Sequence, residues 1–192
     1  MSLVVRSGDG AASPYALEIT PASAGWGYSG LRILELTPGQ IDTFGTDDAE
    51  LVVISLGGSA AVTVDGQSYE LEGRQSVFAG VSDAVYAPRD ADVSIASEAG
   101  GRFALSSARC DRRLTAAYLP KSDVPVELRG AGQSSRQVNN FGIPGVLDAD
   151  RLIACEVLTP AGNWSSWPPH KHDEERDGEA ALEEIYYFEV AD

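Results

Sequence analysis

The stretch that decides the fold is Leu51-Val52-Val53-Ile54-Ser55-Leu56-Gly57-Gly58-Ser59-Ala60-Ala61-Val62-Thr63-Val64-Asp65-Gly66-Gln67-Ser68-Tyr69-Glu70-Leu71. Two runs rich in β-branched residues, 51–56 and 60–64, flank the turn signal Gly57-Gly58. Asp65-Gly66 then joins Val62–Val64 to Tyr69–Leu71 as a type I′ hairpin, in which Gly supplies the positive φ. Working outward, the same pattern recurs. Leu31–Leu36 precedes it; Ser76–Phe78, Ala84–Ala87, Val93–Ala96 and Arg102–Leu105 follow. Pro38-Gly39, Pro88-Arg89-Asp90 and Gly100-Gly101 punctuate them at roughly 8–12-residue intervals, the signature of an all-β sandwich or barrel. The first 110 residues contain no amphipathic helical pattern of 12 residues or more.

The order of these runs, with a Gly-rich hairpin followed by the Pro-bearing corner Tyr86-Ala87-Pro88-Arg89, suits a small jelly-roll barrel of the cupin type. We therefore expect a first barrel over residues 1–110, without a metal motif. Residues 111–150 carry Arg112, Arg113, Pro120, Pro125 and Arg129 with no clean period and read as a connector. A second β pattern opens at Arg151 and occupies 151–192.

Composition narrows the function. The chain has 192 residues, 14 Lys+Arg against 29 Asp+Glu, and a formal charge of −15. So acidic a chain is a poor partner for nucleic acid, whose phosphates require clustered cations. It has neither the basic amphipathic stripe of a membrane-surface protein nor a long apolar run. Residues Met1–Ser7 do not resemble a signal peptide, and Cys110 and Cys155 lack metal-motif spacing, so a cytoplasmic location is expected. Cys155, inside the apolar run 152–158, is expected to be buried.

The chain has two histidines, and they form one motif. Asn163-Trp164-Ser165-Ser166-Trp167-Pro168-Pro169-His170-Lys171-His172-Asp173 leads through an acidic loop to Leu182-Glu183-Glu184-Ile185-Tyr186-Tyr187-Phe188. His-x-His on a strand puts both imidazoles on one face, about 7 Å apart at Cα. Two histidines and one carboxylate are a recurrent metal-ligand set with open positions for substrate. Periodicity does not choose between Glu183 and Glu184, since either can face inward. Asp173, Glu174, Glu175, Asp177 and Glu179 read as a solvated loop, and Trp164, Trp167, Tyr186, Tyr187 and Phe188 as core and pocket wall.

The block Asn163–Phe188 closely resembles the 5-deoxy-glucuronate isomerases of myo-inositol catabolism, bicupins related to the 4-deoxy-L-threo-5-hexosulose-uronate ketol-isomerases. Leu128–Gly132, Ser135–Phe141 and Cys155–Val157 extend the likeness, which runs from about Leu31 to the last residue. The resemblance implies a divalent metal, zinc or manganese, held by His170, His172 and Glu184. It departs from the family where a further ligand histidine is due, because none follows His172, and family members are longer. The second cupin is accordingly expected to be truncated and the metal site incomplete. The implied reaction is an aldose–ketose isomerisation of a small sugar acid, with Glu184 as the proton-transfer group, Arg136 on the substrate carboxylate and Tyr187 or Tyr186 lining the pocket. Two alternatives stand beside it: a non-catalytic cupin that binds a sugar acid or serves in assembly, and an Fe(II) oxygenase. An open barrel would leave Ile185, Tyr187 and Val190 uncovered, so this segment is expected to pack on the first barrel or on a second protomer as a homo-oligomer.

Overall fold

The computed structural model describes residues 4–6, 11–178 and 180–191. Twelve strands run in chain order: β1 (Tyr15–Ile19), β2 (Ser29–Leu36), β3 (Gln40–Gly45), β4 (Ala49–Val64), β5 (Gln67–Arg74), β6 (Ala84–Ala87), β7 (Asp92–Ser97), β8 (Gly101–Arg109), β9 (Ala117–Leu119), β10 (Val126–Arg129), β11 (Arg136–Gly142) and β12 (Ala154–Leu158). Among the described residues the one α-helix is a single turn, Pro21–Ala24. Among the described residues no helix is long and apolar enough to cross a membrane.

Two antiparallel sheets face one another. The first has the order β1-β2-β8-β4-β6-β9, and the second pairs β3 with β7, β7 with β4 and β4 with β5. The long strand β4 belongs to both. Its first half pairs with β8 and β6, its second half with β5 and β7. Gly57-Gly58 is therefore no turn between two strands but the point where one strand crosses between sheets. Its register shifts against β8 between Ser55 and Gly57, and against β5 between Gly58 and Ala60. Gly58 has φ +97, and a Cβ there would sit 2.7 Å from the Gly100 carbonyl oxygen, so only glycine serves at the crossing. The hairpin at Asp65-Gly66 is as expected, with φ of 49 and 82, the double positive φ of a type I′ turn.

The main core lies between the sheets, where Leu34, Leu51, Val53, Phe103 and Leu105 meet Val62, Leu71, Val93 and Ile95. The first sheet is covered on its outer face too. Val52, Ile54 and Tyr86 pack against Leu119, Val124, Phe141, Leu147 and Ala154; Leu31, Ile33, Leu56 and Ala104 pack against Val77 and Ile185. Burial on both faces explains why 51–54 is uniformly apolar instead of alternating.

Two further expectations change. Ser76–Phe78 is a turn, closed by the Ala79 N–H on the Ser76 carbonyl (3.0 Å), and it leaves Phe78 exposed. The turn wraps the Arg74 guanidinium, which donates to the Gly80 carbonyl at 2.9 Å. Residues 111–150, read as a connector, carry strands of their own: β9 adds to the first sheet, and β10 and β11 join β12 in a three-stranded sheet of order β10-β11-β12. Phe141 and Ala154 of that sheet pack on the outer face of the barrel.

Candidate metal centre

No described residue from Thr159 onward lies in a strand, so His170 and His172 sit on an irregular segment and not on the strand expected for them. The segment is pinned at its start to the loop joining β10 and β11. The Trp164 N–H donates to the Gln133 carbonyl (2.7 Å) and the Asn163 side-chain amide to the Ser135 carbonyl (2.7 Å). Trp164 and Trp167 meet edge to face at 5.4 Å but are exposed, as are Tyr186 and Phe188, so these aromatics are not core. Asp173, Glu174, Glu175 and Asp177 lie on the surface; Glu179 is outside the described residues. Lys171 bonds Asp173 at 2.5 Å and holds its carboxyl below the ordinary value.

The two imidazole centroids are 5.1 Å apart, with rings nearly perpendicular. His170 Nδ1 is 3.0 Å from the Pro168 carbonyl oxygen, and His172 Nδ1 is 3.2 Å from that of Ala180. A carbonyl only accepts, so Nδ1 is the donor in each contact, and in that tautomer the Nε2 atom is the one available to a metal. Ligating histidines are oriented by this kind of bond. The pair thus fits two metal ligands. A third is not gathered beside them: among the described residues no group of three or more His, Cys, Asp or Glu is placed to hold a metal ion.

The glutamates that periodicity left open are separated by the structure. Glu183 turns toward the barrel and accepts the backbone N–H groups of Gly27 (2.6 Å), Tyr28 (2.8 Å) and Ser29 (2.7 Å). Burial would raise its carboxyl; the bonds from Ser29, Gly27 and Tyr28 outweigh that and hold it below the ordinary value. Glu184 turns away and accepts from the Tyr186 hydroxyl at 2.5 Å. Burial and that bond push the Tyr186 phenol up to about 12. The Leu182 N–H donates to the His172 carbonyl (2.8 Å), which brings the Glu184 segment alongside the histidines.

Contacts alternate along this segment. Ile185 packs on the outer face of the first sheet, the Tyr187 hydroxyl accepts from Arg102 Nη2 at 2.9 Å, and Glu189 pairs with Arg102. Tyr187 therefore anchors the segment on β8, on the side opposite Glu184. Ile185 finds its cover on the first barrel, whereas Tyr187 is held there by its hydroxyl but stays exposed, as does Val190. Arg136 opens β11, half-buried, and donates through Nη1 to the Ser134 carbonyl (3.0 Å). Cys155 is exposed on β12, and Cys110 is the buried thiol. Strand alternation explains this: Ala154 faces the barrel, so its neighbour cannot.

Sequence reading missed the groups that join the two halves. Glu50 is fully buried and accepts from the Tyr86 hydroxyl and from the N–H groups of Asp150, Arg151 and Leu152, all within 2.7–2.8 Å. Arg74 makes a two-bond ion pair with Glu156, which also accepts from Asn139. The one available signal was a carboxylate at the edge of an apolar run.

Facing antiparallel sheets, a packed barrel and a His-x-His pair beside it define an all-β cupin. The KduI/IolB family profile matches residues 3–192. The chain is 37% identical over 177 residues to 5-deoxy-glucuronate isomerase of Geobacillus thermodenitrificans, covering 91% of this chain and 64% of that protein. It is 35% identical over 176 residues to the Bacillus velezensis protein of the same name, with 90% and 65% covered. The crystal structure of an IolB-like protein from Salmonella typhimurium superposes with a TM-score of 0.82 at 32% identity, over 89% of this chain and 66% of that one. The chain belongs to the KduI/IolB family, and it spans about two thirds of the length of the curated relatives it matches.

Proposed function

We propose that this chain serves the aldose–ketose isomerisation of 5-deoxy-glucuronate to 5-dehydro-2-deoxy-gluconate in inositol catabolism, in the cytoplasm. The observation that carries the reading is the likeness to proteins named 5-deoxy-glucuronate isomerase across nine tenths of the chain. The histidine pair supports it, with both Nε2 atoms available to a metal in that tautomer. On this reading His170, His172 and Glu184 hold a divalent cation, zinc or manganese. Such an ion supplies Lewis acidity to the C1 carbonyl and C2 hydroxyl. Glu184 moves the proton between C2 and C1, with the Tyr186 hydroxyl orienting its carboxylate. Arg136 takes the substrate carboxylate. Glu183 and Tyr187 act on the other side of the segment, fixing it to the barrel.

A second reading has its own observation: only two donors are gathered among the described residues. On that reading the chain binds a sugar acid without turning it over. One experiment decides between them. The purified chain is assayed for bound zinc and manganese and for ketose formation from 5-deoxy-glucuronate, beside His170→Ala. The isomerase reading expects metal and turnover in the parent and loss of both in the variant. Folded protein without turnover, with metal or without it, favours the second reading, and equal metal in the variant removes His170 from the ligand set.

A further inference from the structure

We propose that Arg129 and Arg136, facing one another across β10 and β11, form a two-guanidinium clamp for the carboxylate of a sugar acid. The proposal deepens the isomerase reading and rests on it for the class of ligand. Its basis is the register, in which Arg129 is the direct partner of Arg136 in the antiparallel pair. Directly opposed residues project from the same face with Cβ atoms about 4.5–5.5 Å apart, and like charges so placed destabilise the pair. An acid-rich chain has ample means to neutralise them, with 29 carboxylates against 14 cations. It does so only partly. Arg129 spends Nε on Glu127 at 2.8 Å and keeps both terminal nitrogens. Arg136 spends Nη1 on the Ser134 carbonyl, and no carboxylate among the described residues pairs with it. Four N–H-bearing nitrogens are thus left on two adjacent cations, which matches the two oxygens of one carboxylate.

The clamp also lies on the strand pair to which the start of the histidine segment is fastened. The loop between its two strands receives the bonds from Asn163 and Trp164 that start the histidine segment. On the same face, Cys155 sits in register with Asn140, four residues from Arg136. The arginine pair also solves an electrostatic problem: a chain of formal charge −15 repels an anion at a distance, and a local pair of cations is what admits one.

The test uses the whole chain and D-glucuronate as probe, with D-glucose and inorganic phosphate as comparisons, by calorimetric titration. Expected is binding of glucuronate and not of glucose, weakened ten- to a hundredfold in Arg129→Gln and in Arg136→Gln, with partial recovery in the corresponding Lys variants. Thermal melts confirm that each variant is folded. Glucuronate binding that is indifferent to either Gln variant overturns the clamp, as does no binding, and arginine-dependent binding of phosphate alone reassigns the site and overturns it too. Turnover of 5-deoxy-glucuronate is measured in parallel. Arginine-dependent glucuronate binding without turnover sinks the isomerase reading and leaves the clamp standing; turnover unaffected in both Gln variants does the reverse.

Discussion

The barrel of β1–β9 and the segment from Thr159 to residue 191 are held by opposite means. The barrel interior is filled by apolar side chains such as Phe103, Leu105 and Ile95, each without exposed surface. Among its described residues the C-terminal segment has no strand and little core, and is fastened by polar groups: Glu183 on three N–H groups, Tyr187 and Glu189 on Arg102, Asn163 on Ser135. The difference separates two tasks. A packed β unit supplies rigidity, and a more exposed segment resting on it carries the histidines. The two are joined by one device used in both directions, a carboxylate that caps three consecutive backbone N–H groups of the other half. Glu50 reaches outward from β4 and Glu183 reaches back. The device is weighted by burial, because Glu50 has no exposed surface while Glu183 is half-buried.

The largest effect is expected where that burial is complete. Glu50→Ala leaves three backbone donors and the Tyr86 hydroxyl without an acceptor, in a place water reaches poorly. The cost should be about 3–5 kcal/mol, a drop of roughly 10 °C in the melting temperature of a chain this size. Glu50→Gln should fall between, since it restores an acceptor oxygen but not the charge. Chemical denaturation with global tryptophan fluorescence measures both. A loss no greater than that of the equivalent change at Glu183 would show that burial is not what distinguishes the two caps.

How much of this contrast was legible in the sequence depends on whether local pattern or distant contact decides it. Strands such as 31–36, 84–87 and 93–96 show in residue type because they are short, apolar and bounded by turns. The Asp65-Gly66 hairpin shows because positive φ has few tenants. Gly57-Gly58 misleads, since the same residues serve a turn and a strand that bends between sheets; only the pairing with β5 and β8 decides. Ser76–Phe78 misleads because the partner that bends it is Arg74, and no periodicity encodes that. The histidine pair stood out because it holds every histidine in the chain. The choice between Glu183 and Glu184 needed the backbone of residues 27–29, more than 150 positions away, and so was closed to any local reading.

A smaller and more local effect is expected at Glu183. Glu183→Gln keeps the shape but replaces a charged acceptor by an amide, weakening three bonds. The docking of 180–191 should loosen by about 1–2 kcal/mol, read as roughly tenfold faster amide exchange there with barrel amides unchanged. Acid should do the same to the parent. The folded Glu183 carboxyl lies below its ordinary value of 4.5, so its contribution is complete above that pH and is lost as the pH falls below 4.5 through the folded value. The parent should therefore release the segment in that window, and Glu183→Gln should show no such step from this group. Release of the segment and of the barrel together would mean that the two halves are one cooperative unit.

The smallest effect belongs to the outward side of the same segment. Phe188 is 75% exposed and touches Tyr186 in a stack with centroids 5.9 Å apart. Phe188→Ser removes that stack and little else, so the melting curve should move by less than about 0.5 kcal/mol. Phe103→Ala in the barrel, by contrast, should cost about 3–5 kcal/mol. The two phenylalanines lie on opposite sides of the comparison, and their ratio is its sharpest single measure. A cost above about 1 kcal/mol at Phe188, growing with protein concentration, would show that this face is covered in solution by a second copy. The open half would then owe its order to association as well as to the barrel beneath it.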